Sequence, residues 1–68
     1  MNSIDLKMPG VSLSVEDGPP TDRYPDGFVV LRTLHQAGAD DVNLSAEEAV
    51  LAATAILESA VRILRSRA

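Results

Sequence analysis

Residues 28–34 read Phe28-Val29-Val30-Leu31-Arg32-Thr33-Leu34, and the fold class turns on them. β-Branched and aromatic residues favour a strand, because they pack well on a pleated, half-buried surface. Phe28, Val30 and Leu34 then share one face, with Arg32 interrupting it. A turn through Ala37-Gly38-Ala39-Asp40 leads to a short strand at Val42-Asn43-Leu44, completing a hairpin over about 28–44. The competing reading is a short helix with Phe28, Leu31 and Leu34 on one stripe and Gly38 as its cap. The strand gives an α+β domain. The helix gives a helical hairpin, with residues 27–37 as its first arm, after an N-terminal β segment. The strand is the preferred reading.

The N-terminal side supports it. Ile4, Leu6 and Met8 alternate with Asp5 and Lys7, then Val11, Leu13 and Val15 alternate with Ser12 and Ser14. A period of two marks half-buried strands, here over about 3–16. Pro9-Gly10 fits the centre of a type II turn, with φ set by Pro and positive φ supplied by Gly. Such turns match hairpin twist poorly, so one long edge strand kinked at Pro9 is the alternative. Residues 16–27, Glu-Asp-Gly-Pro-Pro-Thr-Asp-Arg-Tyr-Pro-Asp-Gly, hold three of the four prolines and read as a loop. Tyr24 is the group placed to pin it.

On the C-terminal side, Ser45-Ala46-Glu47-Glu48 is a capping box. The Ser hydroxyl accepts from the backbone N–H three residues on, and Glu48 reaches back. Acids at the start and Arg62, Arg65 and Arg67 at the end complement the helix dipole. The expectation is a helix over about 46–66, roughly 30 Å long. At about 100° per residue, Glu47, Thr54, Glu58, Arg62 and Arg65 form a polar arc. Val50, Leu57 and Leu64 form one apolar row, and Ala49, Ile56 and Ile63 another. Ala53 and Ala60 run between them. The apolar surface is wider than the stripe of roughly 100° that a surface helix needs. Either the whole helix lies across a small sheet, or one flank packs on the sheet and the other on a second molecule.

The expected architecture is therefore a small antiparallel sheet of three to four short strands packed by one long C-terminal helix, in a single domain. The chain has 68 residues, no Cys, 46% hydrophobic residues and a net charge of -4. A chain near this length buries only about 60% of its unfolded surface, leaving a thin core. Small folds compensate with disulfides, a metal or a partner. Disulfides are excluded, and His35 alone supplies no zinc site. That leaves oligomerisation, and a homodimer is expected. No basic start followed by an apolar run marks a signal peptide. The longest apolar run, Ala49–Leu57, is too short to span a bilayer. A cytoplasmic location and no membrane partner are the expectations. The bias toward Arg and Ala suits a GC-rich genome, such as that of a bacterium or its phage.

Candidate chemistry is sparse. Asp41, Asn43, Ser45 and Glu47 alternate like a calcium loop, but its Gly and Glu positions hold Ala46 and Ala52. The sequon at Asn43-Leu44-Ser45 coincides with the helix cap. His35 lies near Asp40 and Asp41 without an activated serine. No metal, cofactor or catalytic residue is expected. The acidic balance disfavours nucleic acid, which requires clustered bases.

The functional expectation is a non-catalytic binding module that occupies a surface of a larger protein, for example a phage or mobile-element inhibitor of a host protein. Ala49, Ile56, Ala60 and Ile63 are the candidates for self-association. Glu16, Asp17, Asp22, Asp26 and Leu51 are the candidates for the partner, since summed charge steers association. The alternatives are a nucleic-acid accessory protein using the arginine-rich end, or a structural subunit of a larger assembly such as a virion.

Overall fold

The computed structural model describes residues 2–67. Four strands, β1 (Asn2–Asp5), β2 (Ser12–Gly18), β3 (Phe28–His35) and β4 (Gly38–Leu44), precede one helix, α1 (Ala46–Ser66). The strands form an antiparallel meander in the order β1-β2-β3-β4. This is the expected α+β class. The helical alternative for residues 27–37 is overturned. β3 is flanked by β2 on one side and β4 on the other, so its backbone groups are used in two ladders. No isolated helix of this length matches that gain.

Directly opposed residues share a face of a sheet, and successive residues alternate. The register therefore sorts the two faces. Val15 stands opposite Leu31, which stands opposite Val42, while Ile4 pairs with Leu13 and Val29 with Leu44. These residues make one face apolar. The other carries Ser12, Ser14, Glu16, Arg32, Asp41 and Asn43. Phe28, Val30 and Leu34 lie on this polar face with Arg32. The residues of β3 on the apolar face are Val29 and Leu31.

Three boundaries differ from expectation. β1 stops at Asp5, because the chain turns early: Leu6 N–H donates to Val11 O at 3.0 Å and Val11 N–H to Met8 O at 3.2 Å. The second bond closes the turn expected at Pro9-Gly10, and Gly10 supplies its φ of 76°. β2 runs on to Gly18, past the expected end near residue 16. Glu16, Asp17 and Gly18 pair with Val30, Val29 and Phe28, and the Phe28 ring lies where a Cβ on Gly18 would be. The turn between β3 and β4 is Gln36-Ala37, not Ala37–Asp40. Gly38 opens β4 with a φ of 137°, so β4 begins four residues before Val42.

The loop of residues 19–27 is built from two local turns. Tyr24 N–H donates to Thr21 Oγ1 at 3.0 Å and Thr21 N–H to Tyr24 O at 2.9 Å. Gly27 N–H donates to Tyr24 O at 2.9 Å. Tyr24 pins the loop as expected: its ring lies 5.4 Å from that of Phe28, and its hydroxyl donates to Asn43 O at 3.4 Å.

Ser45 is the one residue between β4 and α1. Both halves of its capping box are present: Glu48 N–H donates to Ser45 Oγ at 3.1 Å, and Ser45 N–H to Glu48 Oε1 at 2.9 Å. The helix touches β3 and β4. Of its first two turns, only Ala49 and Ala52 are half-buried. It then projects, and the chain measures 46 × 28 × 17 Å. The radius of gyration is 14.2 Å, against about 11 Å for a compact chain of this length. No described residue is fully buried.

Candidate functional site

The feature that dominates the surface is an apolar helix face with nothing on it. α1 forms because its apolar positions recur at helical spacing behind a strong cap. That spacing aligns Ala49, Ile56 and Ile63 in one row and Val50, Leu57 and Leu64 in another. Ile56 is 64% exposed, Leu57 64% and Ile63 66%. The exposed Ala53 and Ala60 lie between the rows and carry only methyl groups. Thus Ile56, Ala60 and Ile63, the candidates for self-association, are together and accessible. Ala49 is half-buried where the helix leaves the sheet.

The apolar face of the sheet is also incompletely covered. Its central residues Leu13, Val15, Val29 and Leu31 are half-buried, while Ile4 and Val42 are exposed. The accessible surface of the chain is 5632 Å². A folded monomer of 7.2 kDa exposes about 4,100 Å² on the usual scaling of area with mass. The excess is about 1,500 Å² by that scaling.

The polar face carries the ordered charges. Arg32 Nε donates to Asp41 Oδ1 at 2.7 Å and Nη2 to Asp41 Oδ2 at 3.0 Å. Arg32 Nη1 lies 3.8 Å from Glu16 Oε2. The hydrogen bond from Arg32 holds the Asp41 carboxyl below its ordinary range; desolvation opposes it, and the guanidinium charge adds to the lowering. The same partners, Asp41 first, raise the Arg32 guanidinium. This chain of charges across three strands was not found from the sequence. The signal that could have found it is the placement of Arg32 and Asp41 around a hairpin turn, once the turn is placed at Gln36-Ala37.

The acidic candidates do not form one cluster. Glu16 lies in β2 on the polar face and is engaged by Arg32. Asp17 lies next to it on the opposite face. Asp22 and Asp26 are exposed in the loop. The expectation that all four crowd one loop is corrected, because pairing with β3 draws Glu16 and Asp17 into the sheet. Leu51 is 71% exposed on the polar arc of α1, apart from both apolar rows.

His35 Nε2 lies 3.0 Å from Asp40 Oδ2, and both side chains are accessible at the β3–β4 turn. Among the described residues, no group of three or more His, Cys, Asp or Glu could hold a metal ion. The larger concavity, between the β1–β2 turn and Leu34, is open to solvent and mostly apolar, lined by Leu6, Met8, Pro9 and Val11. A second open groove on α1 is lined by Leu57, Glu58, Val61, Arg62 and Arg65. No helix among the described residues is long and apolar enough to cross a membrane. Comparison with protein-family models, with curated proteins and with solved structures finds no match to this chain.

Proposed function

We propose that this protein is a non-catalytic, homodimeric binding module that acts by occupying a surface of a larger protein. The observation that carries the reading is the combination of an uncovered apolar helix face with described residues of which none is completely buried. Hydrophobic burial is the main favourable term in folding and association, so an exposed face of this extent marks an interaction surface. The two broad concavities are open grooves, which suit protein contact better than enclosure of a small substrate. Self-association uses Ile56, Ala60 and Ile63, with Ala49 at the sheet end. The partner meets the acidic loop through Asp22 and Asp26, extended by Asp17, with Leu51 as an apolar anchor on the helix. An inhibitor of a host protein carried by a phage or mobile element is one concrete version.

The test has two parts. Light scattering on the purified chain reports the mass, and twice 7.2 kDa is expected. A tagged chain and its Asp17→Asn, Asp22→Asn, Asp26→Asn variant are then used to capture proteins from cells of the source. A partner held by the first and lost by the second, at moderate salt, supports the reading. A monomer that retains native circular dichroism, or identical capture by both chains, overturns it.

A further inference from the structure

We infer that the C-terminal half of α1 covers the apolar sheet face of a second copy of this chain, while the second copy's helix does the same in return. The inference rests on the homodimer reading and specifies how that dimer is built.

The connection between sheet and helix carries the first part. A single residue, Ser45, links β4 to α1, and the capping box engages its backbone N–H and its side chain. The direction of the helix is set there. It touches β3 and β4, and beyond Ala52 its described residues are exposed apart from the half-buried Val61. The chain therefore presents two apolar surfaces that it does not bring together itself. One is the sheet face of Leu13, Val15, Leu31 and Val42. The other is the projecting part of the helix.

The helix has two rows because it has two neighbours to meet. Ala49 and Ala52 mark the side of α1 turned to the sheet. One and two heptads after Ala49, Ile56 and Ile63 continue that side beyond the chain's own sheet. A second sheet placed there receives them. The row of Leu57 and Leu64 points about 100° away around the helix. It meets the second copy's helix, with Ala53 and Ala60 allowing close approach.

Charge and area commit the occupant to a second copy. A two-fold axis perpendicular to the helices sets them antiparallel and makes the interface self-complementary. The acidic end at Glu47 and Glu48 then lies toward the basic end of the other helix, at Arg62, Arg65 and Arg67 of the partner subunit. The opposed dipoles also favour this direction. The excess surface of about 1,500 Å² per chain amounts to about 3,000 Å² for two, within the range of obligate homodimers.

The absence of Cys makes the test clean. Val15→Cys is made on the apolar sheet face, Ser14→Cys on the polar face, and Ile63→Cys on the helix. The Ile63→Cys chain is unfolded and refolded together with each sheet variant, oxidised, and run without reductant. The expected result is a disulfide between the Val15→Cys and Ile63→Cys chains, identified by mass, with none between Ser14→Cys and Ile63→Cys. Leu13→Cys, on the same face, replaces Val15→Cys if the latter loses the circular dichroism of the native chain. A dimer by light scattering that gives only Ile63→Cys self-linked product overturns the exchange and leaves the homodimer standing. Equal linkage to both sheet faces also overturns it. A native-like monomer removes both.

Discussion

Arg32 and Asp41 face each other directly across β3 and β4 and share two hydrogen bonds, of 2.7 and 3.0 Å. The fork of the guanidinium matches the two carboxylate oxygens, a geometry lysine cannot reproduce. Glu16, on β2, lies within 3.8 Å of the same guanidinium. One arginine thus ties three strands on the face away from the apolar surface, in the register that aligns Val15, Leu31 and Val42.

This pair sets part of the acid stability. The Asp41 carboxyl titrates below its ordinary value of 3.8, first through the hydrogen bond from Arg32. A group with a depressed folded pKa contributes stability above its unfolded pKa, and that contribution is lost as pH falls through the folded value. Asp41→Asn is expected to flatten the loss of stability below about pH 4 and to lower stability at neutral pH. Urea unfolding at a series of pH values checks this, and an unchanged acid limb would count against it.

Helix capping gives an independent prediction. Ser45→Ala removes the acceptor for Glu48 N–H, at a cost of about 1 kcal/mol. Glu48 also titrates below its ordinary range, first through the backbone N–H of Ser45 and then through its side chain. Ser45→Ala is therefore expected to reduce helical circular dichroism on mild warming before the sheet is lost. Ser45→Asp, which retains an acceptor, is expected to restore most of the loss.

The pairing of Gly18 with Phe28 gives a third. A methyl at residue 18 would occupy the place of the Phe28 ring, which also packs on Tyr24. Gly18→Ala is expected to destabilise by about 1–3 kcal/mol through overpacking. Combined with Phe28→Leu, it is expected to add less than it does alone, because the two residues are in contact. Strictly additive losses in urea unfolding would argue that the ring does not lie over Gly18.

A fourth concerns the helix face. If two copies bury α1 together, the melting temperature rises with protein concentration by mass action. Ile63→Glu places a charge in that interface and is expected to give a folded monomer whose melting temperature does not depend on concentration. Unfolding of this variant with no monomeric stage would show instead that the dimer and the fold form together.

The local elements were largely legible in the chain. Ser45 and Glu48 mark the helix start, and the spacing of Val50, Ile56, Leu57, Ile63 and Leu64 carries it to Ser66. Pro9-Gly10 announces its turn, and Leu13 and Val15 alternate as a strand should. These features depend on residues within a turn or two of one another, so short-range chemistry is sufficient. The candidate site was legible in the same measure: the apolar rows follow from helical period alone.

Other features are set by residues distant in the chain. Residues 28–34 satisfy both a strand and a helix pattern locally. Pairing with Ser12–Gly18 on one side and Gly38–Leu44 on the other resolves them as β3. That pairing also draws Glu16 and Asp17 out of the loop and sends them to opposite faces. Arg32, which by pattern interrupts an apolar face, becomes the centre of a polar one because Asp41 and Glu16 come to it across the sheet. The path of the helix away from its own sheet follows from the one-residue connection at Ser45 and the position of β4, and no periodicity encodes it. Periodicity tells which residues can be buried together, whereas the material that buries them depends on where the chain brings its surfaces.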